Sequence, residues 1–250
     1  MNKQQRKHQT AAILVIGNEI LSGRTREANA HLAAERMFER GCRLEEIAVV
    51  PDIAERIIST LNRLRADFDA VITSGGIGPT HDDITMESIA HAFDVPLIEH
   101  RYVVQAMTEY YGKGGLNDGR RRMARVPQGA HLLRCAKSIA PGAIIGNVYV
   151  LAGVPSIFAS QLEVILDNFG GQAFQRREVE VCLPESSFAA ALDRLQAKFP
   201  DVEIGSYPGT LGNKPCGKVC LNSQHIESLE AAENAVRSMV EALRSDQESP

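Results

Sequence analysis

The chain has 250 residues, 44% of them hydrophobic and 23% charged, with a formal net charge of −4 at pH 7. That is the make-up of a folded globular protein with room for one large domain and a smaller one. With no basic excess to neutralise a duplex, nucleic acid is not expected as a partner, and no apolar run reaches the length of a membrane span.

The first ten residues, MNKQQRKHQT, are polar and basic and lack the apolar core of a signal peptide, so a frayed leader is expected over 1–10. Ala11–Gly17 (AAILVIG) reads as a buried strand running into a polar loop with Asn18, Glu19, Ser22 and Gly23. A helix is predicted over Glu27–Arg40, stopped by Gly41. Leu44–Val50 reads as a second strand ended by Pro51 and Asp52, and Ile53–Arg65 as a second helix.

Asp69–Ala90 (DAVITSGGIGPTHDDITMESIA) is the stretch around which the rest is arranged. Ala70–Thr73 is a short apolar run of the kind buried on both faces of a sheet. Ser74, Gly75, Gly76 and Gly78 allow the backbone to pass close to a ligand, and Pro79 and Thr80 make a turn. His81, Asp82 and Asp83 follow, and a helix is predicted from Asp83, with Ile84, Ile89 and Ala90 inward and Glu87 in its first turn. A strand, a glycine loop and a helix start together suit phosphate. Two adjacent carboxylates would repel it unless a hard cation lay between them, which points to Mg²⁺ or a related ion. The plainer reading of the same residues is a strand-to-helix turn with an aspartate cap. GGIGPTH is neither a dinucleotide fingerprint nor a P-loop.

Val95–Ile98 is a short strand candidate and Glu99–Tyr111 a helix. Arg120, Arg121, Arg122 and Arg125 form the densest basic cluster, either a phosphate clamp or a solvated face. Val126–Leu133, Ala143–Ile145 and Val148–Leu151 read as strands, with Ala140-Pro141-Gly142 as a turn and Gly146-Asn147 as a hairpin. Gly153 and Pro155 precede a helix over Ser156–Asn168 and offer a second backbone-amide site or merely a tight turn. The character changes at Phe169-Gly170-Gly171, so domains are expected over 11–170 and 171–250. In the second, Phe174–Leu183, Val202–Ser206 and Lys218–Ser223 read as strands, Pro184–Lys198 and Ile226–Arg244 as helices, and SDQESP as a frayed tail.

The five cysteines make no C-x-x-C pair, and a chain of this size does not need disulfide staples, so a reducing cytoplasm is expected. Cys216 and Cys220 share one strand face, which reads as core before it reads as a zinc site.

Strands alternating with helices predict an α/β fold with a parallel sheet covered on both faces. Ligands bind outside the carboxyl ends of such strands, where the loops Asn18–Gly23, Pro51–Asp52 and Ser74–Asp83 all lie. Every α/β protein has loops there, so the convergence alone does not assign a function.

GGIGPTHDDIT resembles the signature of the molybdopterin-binding (MoaB/Mog-like) domain, and more specifically its CinA-type branch. IGNEILSG with Asn29 downstream, VVPD, and APGAIIGN followed by LAGVPSIF agree in the same order, covering about residues 11–169. The continuation LPESSFAAALDRLQAKFPDVEIGSYP is similar to stand-alone CinA-related proteins and to the amino-terminal domain of FAD synthases. The resemblance implies a three-layer parallel-sheet domain followed by a smaller α+β domain. It also implies a homo-oligomer, dimer or trimer, and a cleft for molybdopterin or a nucleotide diphosphate. Asp52 and Asp83 match the two acidic positions that support Mg²⁺-dependent adenylyl transfer in Mog-type members. Asp82 stands where those members commonly carry arginine, which tilts the chain toward metal-dependent cleavage of ADP-ribose or FAD. The nicotinamide-nucleotide deamidase domain of full CinA proteins is missing.

The expected assignments follow. Asp52, Asp82 and Asp83 are the catalytic, metal-holding residues, for Mg²⁺, Mn²⁺ or Co²⁺. Asn18, Glu19, Ser74, Gly75, Gly76, Gly78, Thr80, Gly153 and Pro155 bind the ligand. His81 is an acid, base, ligand or solvent-facing residue, and Arg122 or Arg125 screens the second phosphate. A molybdopterin adenylyltransferase and a non-catalytic binding module stand as alternatives to the pyrophosphohydrolase.

Overall fold

The computed structural model describes residues 7–112, 114–211 and 214–248, with the side chains of 214 and 246–248 left aside. The chain divides between Gly171 and Gln172 into two compact units.

In the first unit the elements run β1 (Thr10–Ile16), α1 (Asn18–Leu21), α2 (Asn29–Glu39), β2 (Arg43–Val50), α3 (Ala54–Asp67), β3 (Ala70–Ser74) and α4 (Thr85–Ala92). They continue as β4 (Leu97–Glu99), α5 (Arg101–Tyr111), α6 (Asp118–Arg122), β5 (Arg125–Pro127), β6 (His131–Cys135), β7 (Ser138–Ile145), β8 (Val148–Leu151) and α7 (Pro155–Ile165). The six-stranded sheet has the order β2-β1-β3-β8-β7-β6. Its first four strands are parallel, while β7 and β6 join through antiparallel pairings.

β1 shows why the run AAILVI is continuously apolar. Ala11, Ile13 and Val15 pack with Ala33 and Met37 of α2 and Phe158 and Leu162 of α7. Ala12, Leu14 and Ile16 pack on the other side with Ile57, Leu61 and Leu64 of α3 and Ile89 of α4. A strand covered on both faces has no solvent side on which to place polar residues. Phe158 and Leu61 are fully buried; cutting either to alanine costs about 3–5 kcal/mol through lost transfer energy and the cavity left behind.

Several expectations are corrected. Residues 8–10 are not frayed, whereas 1–6 lie outside the described residues. Thr10 opens β1, the Gln9 and Thr10 amides donate to Asp69 Oδ2 at 2.9 and 3.1 Å, and His8 Nε2 lies 2.9 Å from the Tyr149 hydroxyl. Burial pushes the His8 pKa down, and Asp69 partly opposes that. Ala140-Pro141-Gly142 is no turn but the middle of β7. Pro141 is tolerated there because β7 itself bulges: Leu133 and Cys135 are two residues apart but their partners Gly142 and Ser138 are four apart, so Pro141 lies in the unpaired stretch and no ladder N–H is missed. The strand predicted over Val126–Leu133 is two, β5 and β6, pairing with β4 and β7 respectively.

The second unit holds β9 (Gln175–Val181), α8 (Ala189–Lys198), β10 (Glu203–Tyr207), the short β11 (Thr210–Leu211) and β12 (Lys214–Pro215), β13 (Gly217–Ser223) and α9 (Ile226–Glu248). β10, β13 and β9 form an antiparallel sheet in that order. Its inner face, Val179, Val181, Val219 and Leu221, packs with Leu229, Ala232 and Val236 of α9. α9 extends through most of the tail expected to fray. Cys216 and Cys220 are half-buried and alternate with the core positions Val219 and Leu221, so they do not belong to the core. Cys216 is moreover bonded to Cys182, a disulfide the sequence did not suggest because the two lie 34 residues apart. Among the described residues, no helix is long and apolar enough to cross a membrane.

Candidate functional site at the carboxyl ends of the strands

The parallel strands deliver four chain segments to one end of the sheet. After β1, the Gly17 amide donates to Val50 O at 3.2 Å and the Asn18 amide to Asp52 Oδ2 at 2.9 Å. Asp52 therefore caps α1, tying the loop after β2 to the loop after β1. Glu19 folds its carboxylate back over Gly17, into the space a side chain there would take.

After β3 the backbone turns through Gly75 (φ 106°) and Gly76 (φ 67°), angles that L side chains rarely adopt. A Cβ on Gly75 would run into Ile16 O, and one on Gly76 into Thr85 Oγ1. Thr85 pins this turn: its hydroxyl donates to Gly75 O at 2.9 Å and its amide to Gly76 O at 3.0 Å. α4 accordingly begins at Thr85, two residues beyond the predicted start, and its first amide is already used. The carboxylates sit before the helix, in a turn around Thr80. Asp83 Oδ2 accepts from the Thr80 amide at 2.8 Å and lies 2.6 Å from the Thr80 hydroxyl, while Asp82 Oδ1 lies 2.5 Å from that hydroxyl. One hydroxyl proton serves two carboxylates. Asp83 fits because Gly78 has no side chain in the space it fills. The Thr80 hydroxyl, then Asp82's own amide, and then the charges of His81 and Arg122 hold the Asp82 pKa below the usual carboxylate range. His81 itself is almost wholly exposed, with Nδ1 3.9 Å from Asp82.

After β8, Gly153 packs against Gly75; a Cβ there would lie 3.1 Å from the Gly75 Cα. Asn29, 7% exposed at the start of α2, locks the two loops together. Its Nδ2 donates to Ser74 Oγ at 2.9 Å and to Gly153 O at 2.8 Å. Glu27 Oε1 accepts the Ala30 amide at 2.8 Å and so holds the entry to α2.

Two clefts flank the β3 loop. One, of about 30 Å³, is lined by Gly76, Gly78 and Asp83 together with Glu87, Arg122 and Arg125. The other, of about 70 Å³, is lined by Glu19, Ser74, Gly75, Gly153 and Pro155, with Asn29 and Glu27 beside them. Both are small, with room for a few water molecules and well below the usual size of a small-molecule site, so a ligand would lie across their mouths. Asn18, Asp52, Thr80 and Asp82 line neither cleft, though Thr80 and Asp82 are bonded to or adjacent to Asp83. Asp52 does not join the other two aspartates in one cluster. Among the described residues, the one trio of side chains with ligating atoms mutually within 4.8 Å is Glu180, Cys182 and Cys216.

Some participants were missed in the sequence. Glu27 gave no signal beyond a helix start, and Asn29 entered only as part of a motif match. Its role depends on β3 and β8 being neighbours, which local spacing does not reveal.

Comparison with known proteins agrees with this architecture. Residues 12–170 match the family described as "Probable molybdopterin binding domain", and residues 173–247 match "FAD synthase, middle domain". A protein of Aeropyrum pernix is 31% identical over 97% of this chain and 95% of its own length. A "Probable FAD synthase" of Caenorhabditis elegans is 32% identical over 94% of this chain, which spans about half (50%) of that protein's length. Among solved structures, CinA of Thermoplasma acidophilum, described as of unknown function, superposes with a TM-score of 0.61 at 29% identity. That match covers 64% of this chain and 97% of CinA.

Proposed function

The chain belongs to the molybdopterin-binding domain family, with a second unit of the FAD-synthase middle-domain type, and from that premise we propose that it binds a nucleotide diphosphate at the β3 loop and hydrolyses its pyrophosphate with a divalent metal. The observation that carries the reading is the pair Asp82 and Asp83 held around one hydroxyl at the lip of a cleft that Arg122 and Arg125 also line. Cation and anion donors so arranged suit a substrate with two phosphates and a bound metal.

The donor chemistry fits a hard cation. Asp82 and Asp83 offer carboxylate oxygens beside the Thr80 hydroxyl, and the depressed pKa keeps Asp82 ionised. These residues would hold Mg²⁺, Mn²⁺ or Co²⁺, which would neutralise diphosphate oxygens when bound. Asp52 is not clustered with these two and its Oδ2 accepts the Asn18 amide, so in this reading it positions α1. The chain's own part is to orient the diphosphate: Arg122 and Arg125 face one phosphate, and the backbone of Gly76 and Gly78 approaches the other without a side chain between. Glu87 in the same cleft repels a bare anion, which makes binding depend on the cation. The nucleoside or a pterin ring would lie at the mouth of the second cleft, which Asn29 lines and which is too small to enclose it. ADP-ribose and FAD are the substrates of choice, the second suggested by the FAD-synthase relatives. The proposal includes a cytoplasmic dimer or trimer.

A molybdopterin adenylyltransferase and a non-catalytic binder are the competing readings, and the family match favours molybdopterin as their ligand. Incubating the protein with ADP-ribose, FAD, or ATP plus molybdopterin, with and without each metal, separates the three by nucleotide chromatography. Mononucleotide released from a diphosphate only with metal supports the hydrolase. ATP consumed only with molybdopterin, or tight binding without turnover, replaces it.

A further inference from the structure

The second unit contains a group of reactive side chains that plays no part in the site above. Cys182, just after β9, and Cys216, just before β13, meet where the two strands run side by side, and their sulfurs are bonded. Glu180 lies on the same face, with Oε1 3.3 Å from Cys182 Sγ and 3.4 Å from Cys216 Sγ. Bonded to each other, the sulfurs donate nothing. Reduced, each thiol would already have that carboxylate within reach as an acceptor. One arrangement thus suits both oxidation states without moving the strands.

We propose that Cys182 and Cys216 form a reversible disulfide, made and broken by exchange with small-molecule disulfides and thiols, that fastens the intervening segment from Leu183 to Pro215 to the sheet. In the forward reaction the Cys182 thiol loses its proton to the Glu180 carboxylate or to water. The thiolate then attacks one sulfur of the external disulfide, forming a mixed disulfide and expelling one thiolate. The Cys216 thiolate next attacks the Cys182 sulfur and expels the second. Two protein thiols are oxidised, one external disulfide is reduced to two thiols, and the released protons balance the two leaving thiolates.

Adjacency sets this pair apart, since Cys42, Cys135 and Cys220 are bonded to no other cysteine. Both cysteines are half-buried on the sheet's solvent-facing side, whereas Cys42 is fully buried in the first unit. Desolvation, with Asp69 and Glu45 nearby, pushes the Cys42 pKa up to about 12, leaving almost no thiolate to react. Cys220 shares the outer face but lies across from Glu178, and burial and that charge raise its pKa. The segment between the bonded cysteines contains α8, β10 and the β11–β12 pair. Fixing both of its ends restricts it most when it is locally open.

The test uses the full chain incubated in glutathione buffers from fully reduced to fully oxidised, then alkylated and mass-mapped. The expected result is a protein lighter by two hydrogens under oxidising conditions, with a Cys182–Cys216 cross-link and restored alkylation at both after dithiothreitol. Amide exchange in β10 should slow on oxidation in the wild type and not in Cys216→Ser. Cys182→Ser should instead carry one glutathione on Cys216, and Cys220→Ser should behave as wild type; circular dichroism checks that each variant is folded. Alkylation of all five cysteines throughout, a cross-link through Cys220, or a bond that dithiothreitol cannot open in the folded protein would overturn the proposal. So would protection of both thiols by Zn²⁺ alone with no cross-link formed by oxidised glutathione, since the trio with Glu180 would then be a metal site.

Discussion

Replacing Asn29 with alanine removes a side chain that joins the end of β3 to the loop after β8. Its Nδ2 makes two hydrogen bonds, to Ser74 Oγ and Gly153 O, in a setting only 7% exposed. Each bond contributes about 0.5–1.5 kcal/mol net, and a buried acceptor left without a partner costs about 1–3 kcal/mol. Water entering the small space would recover part of this, so a loss of about 3 kcal/mol is expected. For a unit of this size that corresponds to a midpoint lower by roughly 6–12 °C. Urea unfolding followed by circular dichroism would measure the change in midpoint at constant slope. Asn29→Asp should be worse than alanine, because a carboxylate would face the Gly153 carbonyl where a donor is needed. A loss below about 0.5 kcal/mol for alanine, the range of an ordinary surface change, would refute the view that this residue holds the two loops together.

Other consequences can be checked alongside. Gly76→Ala combines a left-handed backbone with a clash at Thr85 Oγ1 and should destabilise by at least about 1–2 kcal/mol, seen in the same unfolding assay; Gly23→Ala, also at positive φ but with open space around it, should show the backbone strain alone. Thr80→Ala removes the leading cause of the low Asp82 pKa, so carboxyl-detected NMR should show Asp82 titrating at higher pH than in the wild type. His8 has a folded pKa below its unfolded value because of burial. Its neutral form is thus favoured by folding; this stability is present above the unfolded histidine pKa and is lost as pH falls through the folded one. His8→Gln should flatten the stability profile across that interval, and an unchanged profile would contradict the assignment.

The sheet was legible because burial on both faces writes itself into local composition. Ala11–Ile16 and Val148–Leu151 have no solvent side, and the helices between strands carry a clear apolar stripe. What failed depended on partners distant in the chain. Pro141 looked like a turn because proline blocks a ladder bond, yet it lies in a bulge of β7 where β6 offers no partner. The frayed leader was wrong from His8 onward because Asp69, some sixty residues away, supplies the acceptor for Gln9 and Thr10. Cys216 and Cys220 looked like core because a period of two does not say which face is inward; Val219 and Leu221 decide that. At the site, the glycine loop and paired aspartates stood out in the sequence. The division into two clefts, the capping task of Asp52 and the bridge made by Asn29 all depend on which loops become neighbours.

The central claim is that Asp82 and Asp83 hold a cation for diphosphate cleavage. Asp83→Asn keeps an oxygen to accept from the Thr80 amide, so the turn should persist while the charge is lost. The direct test is release of AMP from ADP-ribose or FAD by wild type and Asp83→Asn, each with and without Mn²⁺, beside unfolding curves of both proteins. The account predicts metal-dependent release by the wild type, with release reduced to background in the variant at unchanged stability. Equal release by both proteins, or none by the wild type with any of Mg²⁺, Mn²⁺ and Co²⁺, would contradict it.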